Sequence, residues 1–279
     1  MRRLGLAYNP TKPEALVLRD RASAWCAEHG VASWAAESGD HDGLVAQLPD
    51  SDGLIVLGGD GTFLRAARAL AVVDVPVLGV NSGRVGFLSK IEPVALETTL
   101  ALLHDDKYAL EARMMLQATI LPAGGRAGGT TYAALNDAAV VRGAEVRVVR
   151  LEVAIDESHL ASYVADGLVV ATPTGSTAYS FSAGGPILGP TARNLVVTPI
   201  AAYLSSIRSI VVGDDHVVTI RLVDGPQCVV SIDGREDHPL GAGDAVEVRA
   251  VDRPLRFIEP HGALPFWDLL RQKAALLPG

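Results

Sequence analysis

The chain of 279 residues contains 24 Lys and Arg against 32 Asp and Glu, which gives a formal net charge of −8. This acidic excess argues against nucleic-acid binding, because the chain offers no general attraction to a polyanion. The net charge alone does not exclude a local basic cleft. An apolar fraction of 49% with 20% charged residues excludes extensive disorder and fits one or two globular domains. Cys26 and Cys228, the two cysteines, lie in apolar surroundings and favour a reducing compartment without a disulfide framework.

The N-terminal residues reach Asn9-Pro10 before any apolar segment of signal-peptide length, which predicts a cytoplasmic protein. A second segment, from Gly167 to Ala192, carries no charged residue and has the length of a membrane span. Its repeated prolines and glycines would break a membrane helix. We therefore expect no membrane association and need another explanation for this uncharged stretch.

The first 107 residues alternate short apolar runs with helical periodicity, which is typical of βα units around a mostly parallel sheet. Thr11 followed by Glu14 fits a capping box at the start of a helix that Gly30 ends. Two more helices are predicted over residues 62–71 and from Pro93 onward. The predicted strands are residues 4–8, 31–36, 53–57 and 75–80.

After residue 107 the pattern changes to strands with few helices between them. Residues 265–277 return to helical periodicity. We therefore predict an α/β domain over 1–107, joined by the 260–279 tail, and a β-rich domain over 108–259. The predicted strands of the second domain are residues 112–121, 147–155, 168–172, 216–223 and 227–232.

A glycine-rich turn, Gly58-Gly59-Asp60-Gly61-Thr62, follows a buried strand and opens a helix. Glycines let backbone N–H groups approach a phosphate, and the helix N-terminus adds free donors. Asp60 repels phosphates, so it either binds Mg²⁺ or accepts a proton from a hydroxyl that is being phosphorylated. The alternative is a plain turn, since the chain contains Asp-Gly dipeptides at six positions, 42, 52, 60, 166, 224 and 233.

The uncharged stretch contains a run of hydroxyl side chains on a backbone shaped by glycine and proline. Such a surface suits a base or a ribose, which needs donors and acceptors but no ion partner. The alternative is a Ser/Thr-rich surface loop. The seven hydroxyl residues are Thr172, Thr174, Ser176, Thr177, Tyr179, Ser180 and Ser182.

Asn136 and Asp137 place an amide and a carboxylate side by side within an otherwise apolar run. Buried polar pairs need partners. The pair is either part of a binding site or a hydrogen-bonded turn at the end of a strand.

Four motifs together resemble the bacterial NAD kinases, in the same order and across nearly the whole chain. They are Gly58-Gly59-Asp60-Gly61-Thr62, the segment 79–88 (GVNSGRVGFL), Leu135-Asn136-Asp137, and Asp166-Gly167 with Thr172 through Ser180 (TPTGSTAYS). The resemblance implies phosphoryl transfer from ATP, or from polyphosphate, to the adenosine-ribose 2′-hydroxyl of NAD, giving NADP. It also implies Mg²⁺ or another divalent cation as cofactor.

The resemblance implies a role for several residues of this chain. Asp60 would be the proton acceptor, and Asp60, Gly61 and Arg65 would line the acceptor site. Asn136 and Asp137 match the family's Asn-Glu pair, whose carboxylate holds a ribose hydroxyl. In this chain the acidic residue is Asp, one methylene shorter than Glu. Asp166 would hold the nicotinamide half, and Arg147 and Arg235 fall where the family touches the ligand. The residues implied around the adenine are Thr177, Ala178, Tyr179, Ser180, Phe181 and Ser182.

The family's Tyr at position 179 contributes to a site shared between subunits, which implies a homodimer or homotetramer. The family fold is an N-terminal α/β domain and a β-rich C-terminal domain, with the final helix returning to the first domain. Two other functions stay open: a catalytically silent NAD-binding protein, and a lipid kinase that shares only the glycine-rich turn. The presence of Asp60 favours the kinase over the silent NAD-binding protein, because a silent member could have lost this carboxylate.

Overall fold

The computed structural model describes residues 1–83, 85–124, 129–144, 147–203 and 207–275. The chain divides into two compact units, one formed by Met1–Ala112 with the segment from Leu255 onward, the other by Arg113–Pro254. The boundaries follow residues 112 and 254, where the sequence predicted 107 and 259. They differ because strands 108–113 and 255–260 both join the sheet of the first unit.

The first unit is the expected α/β unit with a mostly parallel sheet. Its strands are β1 (Arg3–Tyr8), β2 (Ala32–Glu37), β3 (Gly53–Leu57), β4 (Val77–Val80), β5 (Tyr108–Arg113) and, numbered in chain order, β18 (Leu255–Pro260). Its helices are α1 (Pro13–Glu28), α2 (His41–Gln47), α3 (Asp60–Leu70), α4 (Leu96–His104) and the C-terminal α6 (Phe266–Ala275). Short 3-10 turns cover Leu48–Asp50 and Pro93–Ala95.

The strand order of this sheet is β2-β1-β3-β4-β18-β5. The β1, β2, β3, β4 and β18 pairings are parallel, so the carboxyl ends of these strands lie at one edge. In parallel sheets with the strand order 2-1-3-4, ligands usually bind in the crevice at the carboxyl ends of strands 1 and 3, which here are β1 and β3. The glycine-rich turn follows β3 at this edge.

The ends of two helices bear on the sequence predictions. The predicted capping box is wrong, because Lys12 is the N-cap residue of α1 and makes no side-chain cap. Thr11 Oγ1 donates instead to Asn9 Oδ1 at 2.9 Å, and Pro13 starts the helix. The expected return of the final helix is confirmed, since the rings of Phe266 in α6 and Phe87 lie 6.0 Å apart in the first unit. The last two residues of the predicted helix, 276 and 277, lie outside the described residues.

The second unit is β-rich, as expected. Its strands are β6 (Leu116–Leu121), β7 (Thr130–Ala134), β8 (Asp137–Arg142), β9 (Val149–Ile155), β10 (Ser158–Ala165), β11 (Gly167–Ala171), β12 (Asn194–Ile200), β13 (Ile210–Gly213), β14 (Val218–Asp224), β15 (Cys228–Ile232), β16 (Arg235–Leu240) and β17 (Ala245–Ala250). A 3-10 turn over Gly175–Thr177 and the short helix α5 (Tyr179–Ser182) follow β11. Among the described residues these strands form two six-stranded antiparallel sheets, ordered β10-β9-β14-β17-β6-β7 and β13-β12-β11-β8-β15-β16.

An apolar core of the second unit contains side chains from both sheets, such as Val153 and Val246 from one and Val140 and Val197 from the other. Cys26 and Cys228 are both buried and free, as the sequence predicted. In the part of the chain that the structure describes, no helix combines the length and apolar character needed to cross a membrane.

Candidate active site

The glycine-rich turn places Asp60 at the start of a helix. Strand β3 is buried along its whole length, and Gly58 leaves it with a φ of 155°, a conformation that L side chains rarely adopt. A Cβ at Gly58 would lie 2.5 Å from Thr62 Oγ1. Gly59 is the N-cap and Asp60 is the first residue of α3, so the plain-turn interpretation of this Asp-Gly dipeptide does not hold.

Three backbone N–H groups hold the Asp60 carboxylate. Oδ2 accepts from Phe87 at 2.8 Å, and Oδ1 accepts from Leu88 at 3.1 Å and Ser89 at 3.0 Å. These donors belong to the segment that follows β4, so the structure joins two of the sequence motifs at one carboxylate. Hydrogen bonds of this kind fix the orientation of the carboxylate.

Arg65 lies on α3 one helical turn after Gly61, which is exposed. Its guanidinium donates to Ser38 Oγ at 3.2 Å and to Thr62 Oγ1 at 3.3 Å. Ser38 follows β2 at the carboxyl edge of the parallel sheet. The first unit therefore brings together its three predicted site residues, Asp60, Gly61 and Arg65, on the first turns of α3. An arginine and a helix N-terminus at this edge suit an anionic ligand.

In the second unit, antiparallel pairing brings three chain segments to one end of a sheet. Asp137, the first residue of β8, pairs with Ala171, the last residue of β11. The loop that follows β11 continues this contact: Thr172 N donates to Asn136 O at 2.8 Å, and Thr172 Oγ1 donates to Leu135 O at 2.5 Å. A Cβ at Gly175 would lie 2.0 Å from Asn136 O, so only glycine fits there.

Asp233 is the third member of this group, although its Asp-Gly dipeptide predicts only a turn. Its carboxylate accepts from the backbone N–H groups of Leu135 at 3.0 Å, Asn136 at 2.7 Å and Asp137 at 3.1 Å. Asp233 and Gly234 have φ values of 53° and 67°, which form a hairpin turn between β15 and β16. The Asp-Gly dipeptide signalled this turn, but its role depends on the β8–β15 pairing, which the sequence does not reveal.

The environment of Asp137 shifts its proton equilibrium. Burial, and then the nearby Asp233 carboxylate, raise the pKa of Asp137 to about 7. Near neutral pH the carboxyl group therefore exists in both forms and can donate to or accept from a hydroxyl. The buried Asn136 Oδ1 and Thr174 Oγ1 have no hydrogen-bond partner in the described part of the chain, and buried polar atoms of this kind need one.

The hydroxyl-rich run is not a solvated surface loop, because Thr172, Thr174, Ser176 and Ser180 are buried. Most of the hydroxyls are engaged within the fold: Ser176 Oγ donates to Pro173 O at 2.6 Å, and Ser180 Oγ and Thr198 Oγ1 lie 3.1 Å apart. Two aromatic rings of the run are exposed, those of Tyr179 and Phe181, with 41% and 50% of their surface accessible, and Ser182 is exposed as well.

Tyr179 stands in the field of two acidic residues. Its pKa is raised by burial and then by the Asp137 and Asp166 carboxylates. Asp166 precedes β11, at the end of this strand opposite Thr172, and accepts from Arg142 Nε at 2.9 Å. Arg147 is exposed ahead of β9, and Arg235 starts β16, where its carbonyl accepts from Ser231 Oγ at 3.5 Å.

The acidic residues do not form a cage for a cation. Within the described ranges, no three His, Cys, Asp or Glu side chains are grouped closely enough to hold a metal ion. An ion such as Mg²⁺, which usually keeps several waters and binds protein through only one or two carboxylates, does not need such a cage.

Comparison with known proteins identifies relatives for both units. Residues 25–108 match the family model of the ATP-NAD kinase N-terminal domain, and residues 135–260 match that of the ATP-NAD kinase C-terminal domain. The NAD kinase of Symbiobacterium thermophilum is 47% identical over 223 residues, which cover 80% of this chain and 78% of that protein. The NAD kinase of Natranaerobius thermophilus is 35% identical over 287 residues, covering 98% of both proteins.

Two solved structures share the fold. Yeast NADH kinase complexed with NADH superposes with a TM-score of 0.86 at 22% identity, covering 99% of this chain and 87% of that one. An NAD kinase from Archaeoglobus fulgidus in complex with ATP superposes with a TM-score of 0.80 at 22% identity, covering 99% of this chain and 100% of that one.

Proposed function

The chain belongs to the NAD kinase family, whose members phosphorylate NAD to NADP with ATP, and from that membership we propose how its own residues perform the transfer. The acceptor is the adenosine-ribose 2′-hydroxyl. Its oxygen forms a bond to the γ-phosphorus of ATP, the bond between this phosphorus and the ADP oxygen breaks, and Asp60 receives the hydroxyl proton. The observation that carries the proposal is a carboxylate held by three backbone N–H groups at the start of α3.

The remaining groups of the first unit bind and orient. The N–H groups at the start of α3 face the ligand edge of the sheet and offer donors to phosphate oxygens. Arg65, whose guanidinium contacts two neutral hydroxyls, Ser38 and Thr62, adds a positive charge beside them. In a protein with a net charge of −8, such local donors replace the missing basic field for an anionic substrate. Mg²⁺, or another divalent cation, bound through the ATP phosphates would supply further charge neutralisation.

The second unit binds the NAD molecule in this proposal. Asn136 Oδ1 and Thr174 Oγ1 are buried polar atoms that a ligand would satisfy. Asp137, with a pKa raised to about 7 by burial and by Asp233, bonds a ribose hydroxyl in either protonation state. The exposed Tyr179 and Phe181 rings provide a face on which an adenine can stack. Asp166 interacts with the nicotinamide half of NAD, and Arg147 and Arg235 contact the edge of the bound NAD molecule.

Two further parts of the proposal concern partners. Inorganic polyphosphate is an alternative donor, because the α3 N-terminus and Arg65 recognise phosphate groups rather than a base. A homodimer or homotetramer is the proposed assembly, since Tyr179, Phe181 and Tyr203 expose large apolar surfaces in one unit. Analytical ultracentrifugation of the full chain tests the assembly, and a single monomer boundary would exclude it.

The decisive experiment incubates the protein with NAD, Mg²⁺ and either ATP or polyphosphate and measures NADP. We expect product with ATP, and we expect Asp60→Asn to lower kcat by about 10²–10⁴-fold while the Kd for NAD changes little. NAD bound without product under either condition would support the silent NAD-binding alternative. A wild-type rate in Asp60→Asn would remove Asp60 as the proton acceptor.

A further inference from the structure

The segment Val85–Ser89, here the clamp segment, wraps the Asp60 carboxylate with its backbone. We propose that the clamp segment, held in place by Lys273 of α6, orients Asp60 so that Oδ2 is the oxygen that accepts the proton. This inference rests on the proposed role of Asp60 and adds a positioning function for Gly86 and Lys273, neither of which needs to touch the substrate.

The hydrogen bonds distinguish the two carboxylate oxygens. Each oxygen offers two lone-pair positions. Oδ1 accepts from both Leu88 and Ser89, at 3.1 and 3.0 Å, which uses both of its positions. Oδ2 accepts only from Phe87 among the described residues, at 2.8 Å, and keeps one position for an incoming proton. The clamp segment therefore makes the two carboxylate oxygens of Asp60 different: Oδ1 holds the backbone, and Oδ2 can accept a proton.

Gly86 allows this close approach. A Cβ built at Gly86 would lie 1.8 Å from Asp60 Oδ1 and 2.4 Å from its Cγ, so any other residue must displace either the carboxylate or the segment. The Gly86 N–H donates to Ser89 O at 3.1 Å and closes the turn that directs the three donors inward. By contrast, the nearest atom that a Cβ at Gly83 would meet, among described residues other than its chain neighbours, is Asn81 Oδ1 at 3.8 Å.

Lys273 fixes the clamp segment from the C-terminal helix. Its Nζ donates to Val85 O at 2.6 Å and lies 4.9 Å from the centre of the Phe87 ring, a cation–π distance. Phe266, from the start of α6, packs on the same ring at 6.0 Å. Because the Phe87 N–H is the donor to Oδ2, contacts from α6 reach Asp60 through a single residue. Substrates need not contact Lys273 for this side chain to affect the transfer.

The first experiment compares Lys273→Ala, Lys273→Arg and the control Arg271→Ala in steady-state assays of the full-length protein. Arg271 lies on the same helix, with its side chain 78% exposed and paired with Asp268. We expect Lys273→Ala to lower kcat about 10-fold or more, because small misplacements of a catalytic group cost up to about 10²-fold, with KM for NAD and ATP within about twofold. Lys273→Arg recovers most of the rate, and Arg271→Ala matches wild type.

Gly86→Ala and its control Gly83→Ala provide an independent variant pair. We expect a large loss of kcat in Gly86→Ala and a near-normal rate in Gly83→Ala, with thermal unfolding recorded for both. Lys273→Ala with the wild-type kcat would overturn the proposal. An equal loss of kcat in Arg271→Ala would do so too, because it would show that the effect belongs to α6 as a whole.

A double-mutant cycle separates this inference from the role of Asp60. If Lys273 acts through the Asp60 carboxylate, Lys273→Ala lowers the wild-type rate but leaves the residual rate of Asp60→Asn unchanged. Additive losses in the double variant would reject the positioning role while Asp60 remained the proton acceptor. An unimpaired Asp60→Asn would reject the proton-acceptor role instead, so the two failures are distinguishable.

Discussion

Asp233 Oδ1 accepts a hydrogen bond of 2.7 Å from the backbone nitrogen of Asn136, 97 positions earlier in the chain. The same carboxylate accepts from the N–H groups on either side of Asn136, so the end of β15 sets the backbone at the start of β8. Three N–H groups that would otherwise be left without acceptors are satisfied by one side chain. The peptide that presents Asn136 and Asp137 therefore depends on a residue from a different part of the chain.

Replacing Asp233 by alanine should destabilise the second unit. The change removes three charge-assisted hydrogen bonds and leaves backbone donors without partners, for which we expect a loss of about 2–4 kcal/mol in the free energy of unfolding. Urea titration measures this loss. Asp224→Ala is the matched control, because Asp224 also precedes a glycine at the end of a strand but is exposed, and within the described ranges its carboxylate accepts only from Gly225, at 2.8 Å. Equal urea midpoints for the two variants would contradict the role of Asp233.

The raised pKa of Asp137 predicts a pH dependence of stability. The pKa is about 7 in the folded protein, raised by burial and by Asp233, and has an ordinary value near 3.8 when unfolded. Between these values the folded state binds more protons than the unfolded state, so the contribution of Asp137 to stability is complete below about pH 4 and declines as the pH rises to about 7. Above pH 7 it is constant. The total decline is on the order of 4 kcal/mol.

Asp137→Asn isolates this contribution, since asparagine has nearly the shape of the protonated acid and does not titrate. We expect the stability of wild type relative to Asp137→Asn to fall between pH 4 and 7, as measured by urea unfolding at several pH values. Parallel stability curves for the two proteins across this range would show that Asp137 titrates normally in the folded state.

Gly175→Ala should disturb the loop after β11. The new Cβ would lie 2.0 Å from Asn136 O, a backbone atom that cannot rotate away. We expect the loop to shift off the Asn136 peptide, which raises KM for NAD about 10-fold or more, since a loop displaced by about 1 Å can cost that much. At Gly241, the control in the same unit, a Cβ would meet Asp244 Oδ2 at an ordinary 3.4 Å. A normal KM in Gly175→Ala would contradict the contact.

The sequence predicted elements well where local chemistry determines them. The apolar run 53–57, bounded by glycines, is β3, and the helix predicted over residues 62–71 is α3, which starts two residues earlier, at Asp60. That shift matters, because it makes Asp60 the first residue of the helix rather than a loop residue. The helix start was misjudged because Gly59 caps it without a side chain, and sequence rules look for a capping side chain.

Other features depend on partners that are distant in sequence. The hydroxyls of the run 172–182 suggested a ligand surface, but Thr172 and Ser176 bond the backbone of the fold itself. The three hydrogen bonds between Asp60 and the clamp segment join residues that are 27 to 29 positions apart. No local sequence pattern encodes such a pairing. The sequence identified the motifs that contain these residues, whereas strand register and loop geometry decide which atoms meet.

A last prediction concerns the ion pair that follows the clamp segment in the chain. Lys90 Nζ contacts both carboxylate oxygens of Glu259, at 2.6 and 2.8 Å, with side-chain exposures of only 10% and 19%. Lys90→Met removes two short charge-assisted hydrogen bonds from Glu259 in a poorly hydrated site, and we expect a loss of about 3 kcal/mol in the free energy of unfolding. Lys90→Met combined with Glu259→Leu should recover most of that loss, because the carboxylate that has lost its bonds to Lys90 is then removed as well. Urea unfolding of both variants measures the difference, and a double variant as unstable as Lys90→Met would indicate that packing, rather than charge, stabilises this position.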